Sequence, residues 1–134
     1  MTRAIIFSVL FILLAIPAAE AQRIYDRSGR FIGRVSNDRY YDRSGRLMGR
    51  VNDDRVYDAS GRYQGRIRNN RLYDRSGRLI GRTNNNRLYD RSGRNIGRIS
   101  NGRIYDRSGR LKARTRDMDH EQIVLFFFFF YDRQ

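Results

Sequence analysis

From residue 22 onward, apolar positions recur in short pairs set about polar turn residues, and the arrangement repeats every sixteen residues. Val51 and Val56, Ile67 and Leu72, and Ile99 and Ile104 each flank a two-residue polar step, with Asp53-Asp54, Asn69-Asn70 and Asn101-Gly102 at the centres. Half a repeat away lies a second turn, in the phrase YDRSGR that begins at Tyr25, Tyr41, Tyr73, Tyr89 and Tyr105, and as YDASGR at Tyr57. A fixed period of this length marks one supersecondary unit copied along the chain.

Both turns point to hairpins. Asn, Asp and Gly tolerate the positive φ that a type I′ turn demands at two consecutive positions. Asn37-Asp38, Asp53-Asp54, Asn69-Asn70, Asn85-Asn86 and Asn101-Gly102 satisfy it five times over. In Asp42-Arg43-Ser44-Gly45, Asp opens a type I turn and Gly at the fourth place favours a bulge; Asp42 can also accept from the turn backbone. The stretch between them, Arg46 to Val51, reads as a strand. A helix is excluded by glycines that return four residues apart, as at Gly77 and Gly81.

The two-residue turns set a register. Val35 faces Tyr40, Val51 faces Val56, Ile67 faces Leu72, Thr83 faces Leu88 and Ile99 faces Ile104. One step further out, arginine faces tyrosine in every unit: Arg34–Tyr41, Arg50–Tyr57, Arg66–Tyr73, Arg82–Tyr89 and Arg98–Tyr105. The expected fold class is all-β, a meander of tandem sixteen-residue hairpins. A lone hairpin is marginal in water, so the units must share a core, either stacked as an open β-solenoid or closed into a ring that removes exposed strand edges.

The repeat fades after Arg110, and an acidic connector at 117–122 leads to Ile123-Val124-Leu125 and the run Phe126 to Phe130. That run is too short to span a bilayer as a helix. A continuous apolar segment suits a strand buried on both faces, so 123–134 is expected to be a closing strand packed in the middle of the 22–116 repeat domain. The rival reading is an exposed adhesive or membrane-contacting tail, which would be an aggregation hazard.

At the other end, Arg3, the apolar stretch Ile5 to Ile16, Pro17 and Ala19-Glu20-Ala21 form a secretory signal peptide over 1–21, with Gln22 as the mature N-terminus. The mature chain carries no Cys, so burial and hydrogen bonding alone must hold an exported domain. Its net charge of +14 comes almost wholly from Arg, with Lys112 the sole Lys. Such an excess draws polyanions at low ionic strength.

The phrases SGRFIGRV at 28–35, SGRLMGRV at 44–51, SGRYQGRI at 60–67, SGRLIGRT at 76–83 and SGRNIGRI at 92–99 resemble those of the five-fold beta-flower proteins of exported bacterial origin. The resemblance implies five hairpin petals around a central axis and implies no activity. The YD-x-x-GR-L phrase is more weakly similar to the YD repeats of large bacterial shell and toxin proteins, whose longer period argues against that match.

Little in the chain suggests catalysis, and no cofactor is expected. The single histidine, His120, lies among carboxylates without Cys, which is a poor metal set. The Asp of each YD recurs in equivalent copies, which fits turn capping better than an asymmetric catalytic constellation. The expectation is a non-enzymatic, exported structural or scaffold protein. The alternative is binding of anionic polysaccharide, lipopolysaccharide or a membrane surface by Arg34, Arg50, Arg66, Arg82, Arg98 and their tyrosine partners Tyr41, Tyr57, Tyr73, Tyr89 and Tyr105. Export argues against nucleic acid as a partner. Intact mass of the exported protein should correspond to residues 22–134, and a mature form that retains Ile5 to Ile16 would contradict secretion.

Overall fold

Twelve short antiparallel strands close on themselves as a barrel in the computed structural model, which describes residues 22–131. The signal-peptide reading of 1–21 and the last three residues lie outside the described residues. The strands are β1 (Gln22–Asp26), β2 (Phe31–Ser36), β3 (Arg39–Asp42), β4 (Leu47–Asn52), β5 (Arg55–Asp58) and β6 (Tyr63–Arg68). They continue as β7 (Arg71–Asp74), β8 (Leu79–Asn84), β9 (Arg87–Asp90), β10 (Asn95–Ser100), β11 (Arg103–Asp106) and β12 (Leu111–Arg116). Each strand pairs with its sequence neighbours, and β12 pairs with β1. The solenoid alternative therefore falls, because a ring leaves no strand edge unpaired.

Both turns take the forms their residues demand. Asn37 and Asp38 have φ of 50° and 62°, and Asn85 and Asn86 have 49° and 67°. The expected register holds across these turns, with Val35 on Tyr40, Arg34 on Tyr41 and Ile99 on Ile104. The ladder between β12 and β1 repeats that pairing without a connecting turn, with Ile24 opposite Thr115 and Tyr25 opposite Arg114. At the other turn, Gly45 has φ +83° and the Asp42 carboxylate accepts from the N–H of Ser44 at 2.8 Å and of Arg46 at 3.0 Å. A register shift follows each of these turns, as between Tyr40 and Tyr41 against β4, so Met48 bulges out of the ladder. The carbonyl of Asp38 accepts from Val51 N–H at 2.9 Å, which stitches one hairpin tip to the next strand.

Alternation along the strands sends Ile24, Val35, Tyr40, Val56, Leu72, Leu88 and Ile104 inward, where all are buried. Twelve strands enclose more space than such residues can fill. The remainder is filled by the chain's own C-terminus, and here the expected closing strand is corrected. His120–Leu125 form a helix, α1, which continues into a π-helical stretch at Phe126–Phe130. The reason is hydrogen bonding: the ring is already closed, so an extended segment in its lumen would find no backbone partners, whereas a helix satisfies its own. The acidic connector is likewise shorter than expected. Asp119 is the N-cap of α1 and forms a capping box with Gln122.

The plug is fitted to the glycines of the repeat. A Cβ built on Gly49 would lie 2.8 Å from Phe130 Cε1, one on Gly65 2.8 Å from Phe129 Cε1, and one on Gly81 2.7 Å from Phe128 Cζ. Successive phenylalanines thus meet successive units around the ring. Tyr40 stacks on Phe130 with centroids 4.5 Å apart, and Phe126 and Phe130 are fully buried.

The start of the plug is tied to the barrel mouth. Gln22 Nε2 donates to the Asp117 carbonyl at 2.9 Å and to Gln122 Oε1 at 3.0 Å, and the Tyr40 hydroxyl donates to the Gln122 carbonyl at 3.3 Å. Burial, followed by the charges of Asp119, Asp38 and Glu121, raises the Tyr40 pKa far above the usual phenol range. Glu121 is also raised, first by partial burial and then by its hydrogen bond to, and charge repulsion from, Asp54.

Two expectations follow. Gly81→Ala should destabilise the barrel by about 1–3 kcal/mol. Phe128→Ala should cost about 3–5 kcal/mol. The double variant should lose clearly less than the sum in denaturant titrations, since Phe128→Ala removes the ring against which the added methyl clashes. Relief will be partial because the Tyr89 carbonyl also lies 2.7 Å from the added Cβ. Strict additivity would mean that ring and glycine do not oppose each other. For Glu121, the folded state holds its proton to higher pH than the unfolded chain does, whose carboxyl titrates near about 4.3. Its contribution is therefore full below that value and is lost as pH rises through the raised folded pKa. Glu121→Gln should match the parent's melting temperature in acid and exceed it at neutral pH.

Candidate arginine–tyrosine belt

The residues that alternate with the buried core positions face outward, and these are the arginines and tyrosines. Across the two-residue hairpins the guanidinium lies over the ring in every unit. Its carbon is 4.2 Å from the centroid for Arg34–Tyr41, 4.5 Å for Arg50–Tyr57, 5.4 Å for Arg66–Tyr73, 4.5 Å for Arg82–Tyr89 and 4.2 Å for Arg98–Tyr105. All ten expected site residues are thus brought into one outer belt. Each such stack contributes roughly 0.5–1 kcal/mol at an exposed site.

The other set of ladders adds residues that the sequence reading missed. Across the bulged turns, Arg stands directly opposite Arg: Arg23 on Arg34, Arg39 on Arg50, Arg55 on Arg66, Arg71 on Arg82, Arg87 on Arg98 and Arg103 on Arg114. Only the bulge makes these neighbours. Counting outward from the Gly turn without the shift leaves the two arginines out of step. The signal available in sequence was the second Arg of each unit, placed two residues before the Tyr of YD.

Nearer the bulged turns the same outer face carries tyrosine paired with an apolar or polar residue, as Tyr41 with Leu47, Tyr73 with Leu79 and Tyr89 with Asn95. Tyr25 meets Phe31 edge-on at 6.1 Å, and Tyr57 meets Tyr63 edge-on at 6.0 Å. Between β5 and β6 the face opens into a groove of about 370 Å³ lined by Arg55, Tyr57, Tyr63 and Arg66.

The mouths of the barrel hold smaller features. His120 sits at the start of α1, its Nε2 3.3 Å from Thr83 Oγ1, and among the described residues no cluster of three or more His, Cys, Asp or Glu could hold a metal ion. At the opposite mouth Lys112 Nζ lies 5.3 Å from the Phe127 ring and 4.9 Å from that of Tyr131, capping the end of the plug. Among the described residues no helix is long and apolar enough to cross a membrane.

No curated protein and no solved structure matches the chain. Residues 21–131 match the family described as 5-fold beta-flower protein, a span that runs from the first strand to the last ring of the plug. The closed ring of antiparallel hairpins and the extent of that match place the chain in the 5-fold beta-flower family.

Proposed function

We propose that this is an exported, non-enzymatic barrel that binds anionic polymers of the cell envelope, such as acidic polysaccharide or lipopolysaccharide, through its outer arginine–tyrosine belt. One observation carries the reading. In all six bulged ladders around the ring an arginine stands opposite another arginine, and Arg23–Arg116 and Arg68–Arg71 add two more such pairs. Like charges directly opposed across strands destabilise a sheet. A fold that needed only solubility would gain by placing a carboxylate at one of each pair. A bound anion removes the repulsion and gains charge-assisted, forked hydrogen bonds from both guanidinium groups. In five of the six bulged pairs a tyrosine ring lies under one of the two guanidinium groups and holds it in place.

The structural or scaffold reading is supported by a separate observation: every strand is paired on both sides and the C-terminal helical segment packs in the barrel core. In either reading, the five hairpins turned at Asn37-Asp38 and its equivalents are the five petals of the family description, each built from one sixteen-residue unit, and the β12–β1 ladder closes the flower.

The belt is tested by Arg39→Gln, Arg71→Gln, Arg87→Gln and Arg103→Gln combined. These arginines oppose Arg50, Arg82, Arg98 and Arg114 but lie outside the measured Arg–Tyr stacks. The variant should melt no lower than the parent. Its affinity for heparin or polyphosphate should drop at least tenfold at low salt, with a shallower dependence on salt. Unchanged affinity would leave the scaffold reading in front.

A further inference from the structure

We infer that the groove between β5 and β6 is a selective subsite for an acidic sugar, one that accepts a carboxylate-bearing saccharide unit rather than any polyanion. The inference rests on the belt reading and adds a position and a chemistry to it. Repeats that do the same work can carry the same residues, yet this unit departs from its neighbours at several places, and one of them, Tyr63, lines the groove. Tyr63 stands where the neighbouring units have Leu47 and Leu79. Ala59 stands in the connecting turn where they have Arg43 and Arg75. Gln64 replaces the apolar bulge residue and donates to Asp58 Oδ2 at 3.1 Å, so the polar change is tied to the turn that holds the two strands together.

What results is chemically specific. Arg55 and Arg66 face each other across the ladder, so two guanidinium groups flank the groove. Tyr57 and Tyr63 form its apolar wall at 6.0 Å with an interplanar angle of 66°, and Tyr63 is exposed to 36%. The volume of about 370 Å³ suits a small ligand. A sugar acid presents a planar carboxylate, which a guanidinium binds in forked fashion, and a C–H face that packs on a tyrosine ring. Arg50 lies 4.5 Å over Tyr57, so the exposed ring of Tyr63 is the one that offers its face to the ligand.

The test is calorimetric titration of the mature protein with a galacturonate tetramer, its methyl ester and a thymidylate oligomer of equal charge, with polyphosphate as the general belt probe. The parent should bind galacturonate best, and the ester at least tenfold more weakly. Tyr63→Leu installs the residue found at this place in three other units, and circular dichroism should show it folded. It should lose at least tenfold in galacturonate affinity and keep its polyphosphate affinity, and Arg55→Gln should also lose galacturonate. Equal galacturonate binding by parent and Tyr63→Leu, or preference for thymidylate, would overturn the subsite while leaving the belt standing. Failure of polyphosphate and galacturonate alike would overturn both.

Discussion

A ring of twelve strands is too wide for its own inward side chains to fill, and the rest of the structure depends on how that space is closed. Small residues at the repeat glycines make the problem larger. The answer is an internal helix whose phenylalanines use those glycines as seats, Phe130 against Gly49, Phe129 against Gly65 and Phe128 against Gly81. An α-helix advances about 100° per residue. The wider π winding turns each residue through less. That brings consecutive rings closer to the angular step between consecutive units, which explains why the helix loosens where the five phenylalanines begin. The plug and the repeat are thus matched parts of one core.

The ring also explains why the repeat tolerates so much surface charge. Closure pairs every strand on both sides, and each hairpin tip is bonded to the strand beyond it, as Asp54 to Ile67 at 2.9 Å and Asn70 to Thr83 at 2.9 Å. A sheet held by a full circle of backbone hydrogen bonds and a buried aromatic plug can carry opposed arginines that an open, two-stranded hairpin could not.

The parts legible in the sequence were those set by local backbone chemistry. Asn85-Asn86 needs positive φ twice, Asp42 caps a turn with Gly at its end, and from these turns the Arg–Tyr pairing follows residue by residue. Two features were not legible because each depends on something remote. The segment 123–134 was read as a strand and 117–122 as a connector, whereas 120–130 is helical: an apolar run of that length suits either form, and only the closed ring removes the backbone partners a strand would need. The opposition of Arg39 to Arg50 was missed because it lies beyond a bulge, where one extra residue shifts every later pair. The β12–β1 ladder lies outside that count: its strands stand at opposite ends of the repeat region and no turn marks their pairing.

The unit that departs from the pattern deserves a different physical reading from the units that keep it. In the repeated positions, a change such as Leu79 for Phe31 keeps the outer wall apolar and leaves the ladder intact. At Tyr63 the change exposes a large ring, and at Ala59 it removes a charge from a surface otherwise crowded with arginine. The Tyr63 ring meets Tyr57 edge to face at 6.0 Å across the ladder, and the turn that holds Ala59 is capped by the Asp58 carboxylate accepting from Ser60 at 2.8 Å and Arg62 at 2.9 Å. Tyr63 thus joins Tyr57, Arg55 and Arg66 at one groove of the belt, where a large ring stands in place of the leucine found in three other units.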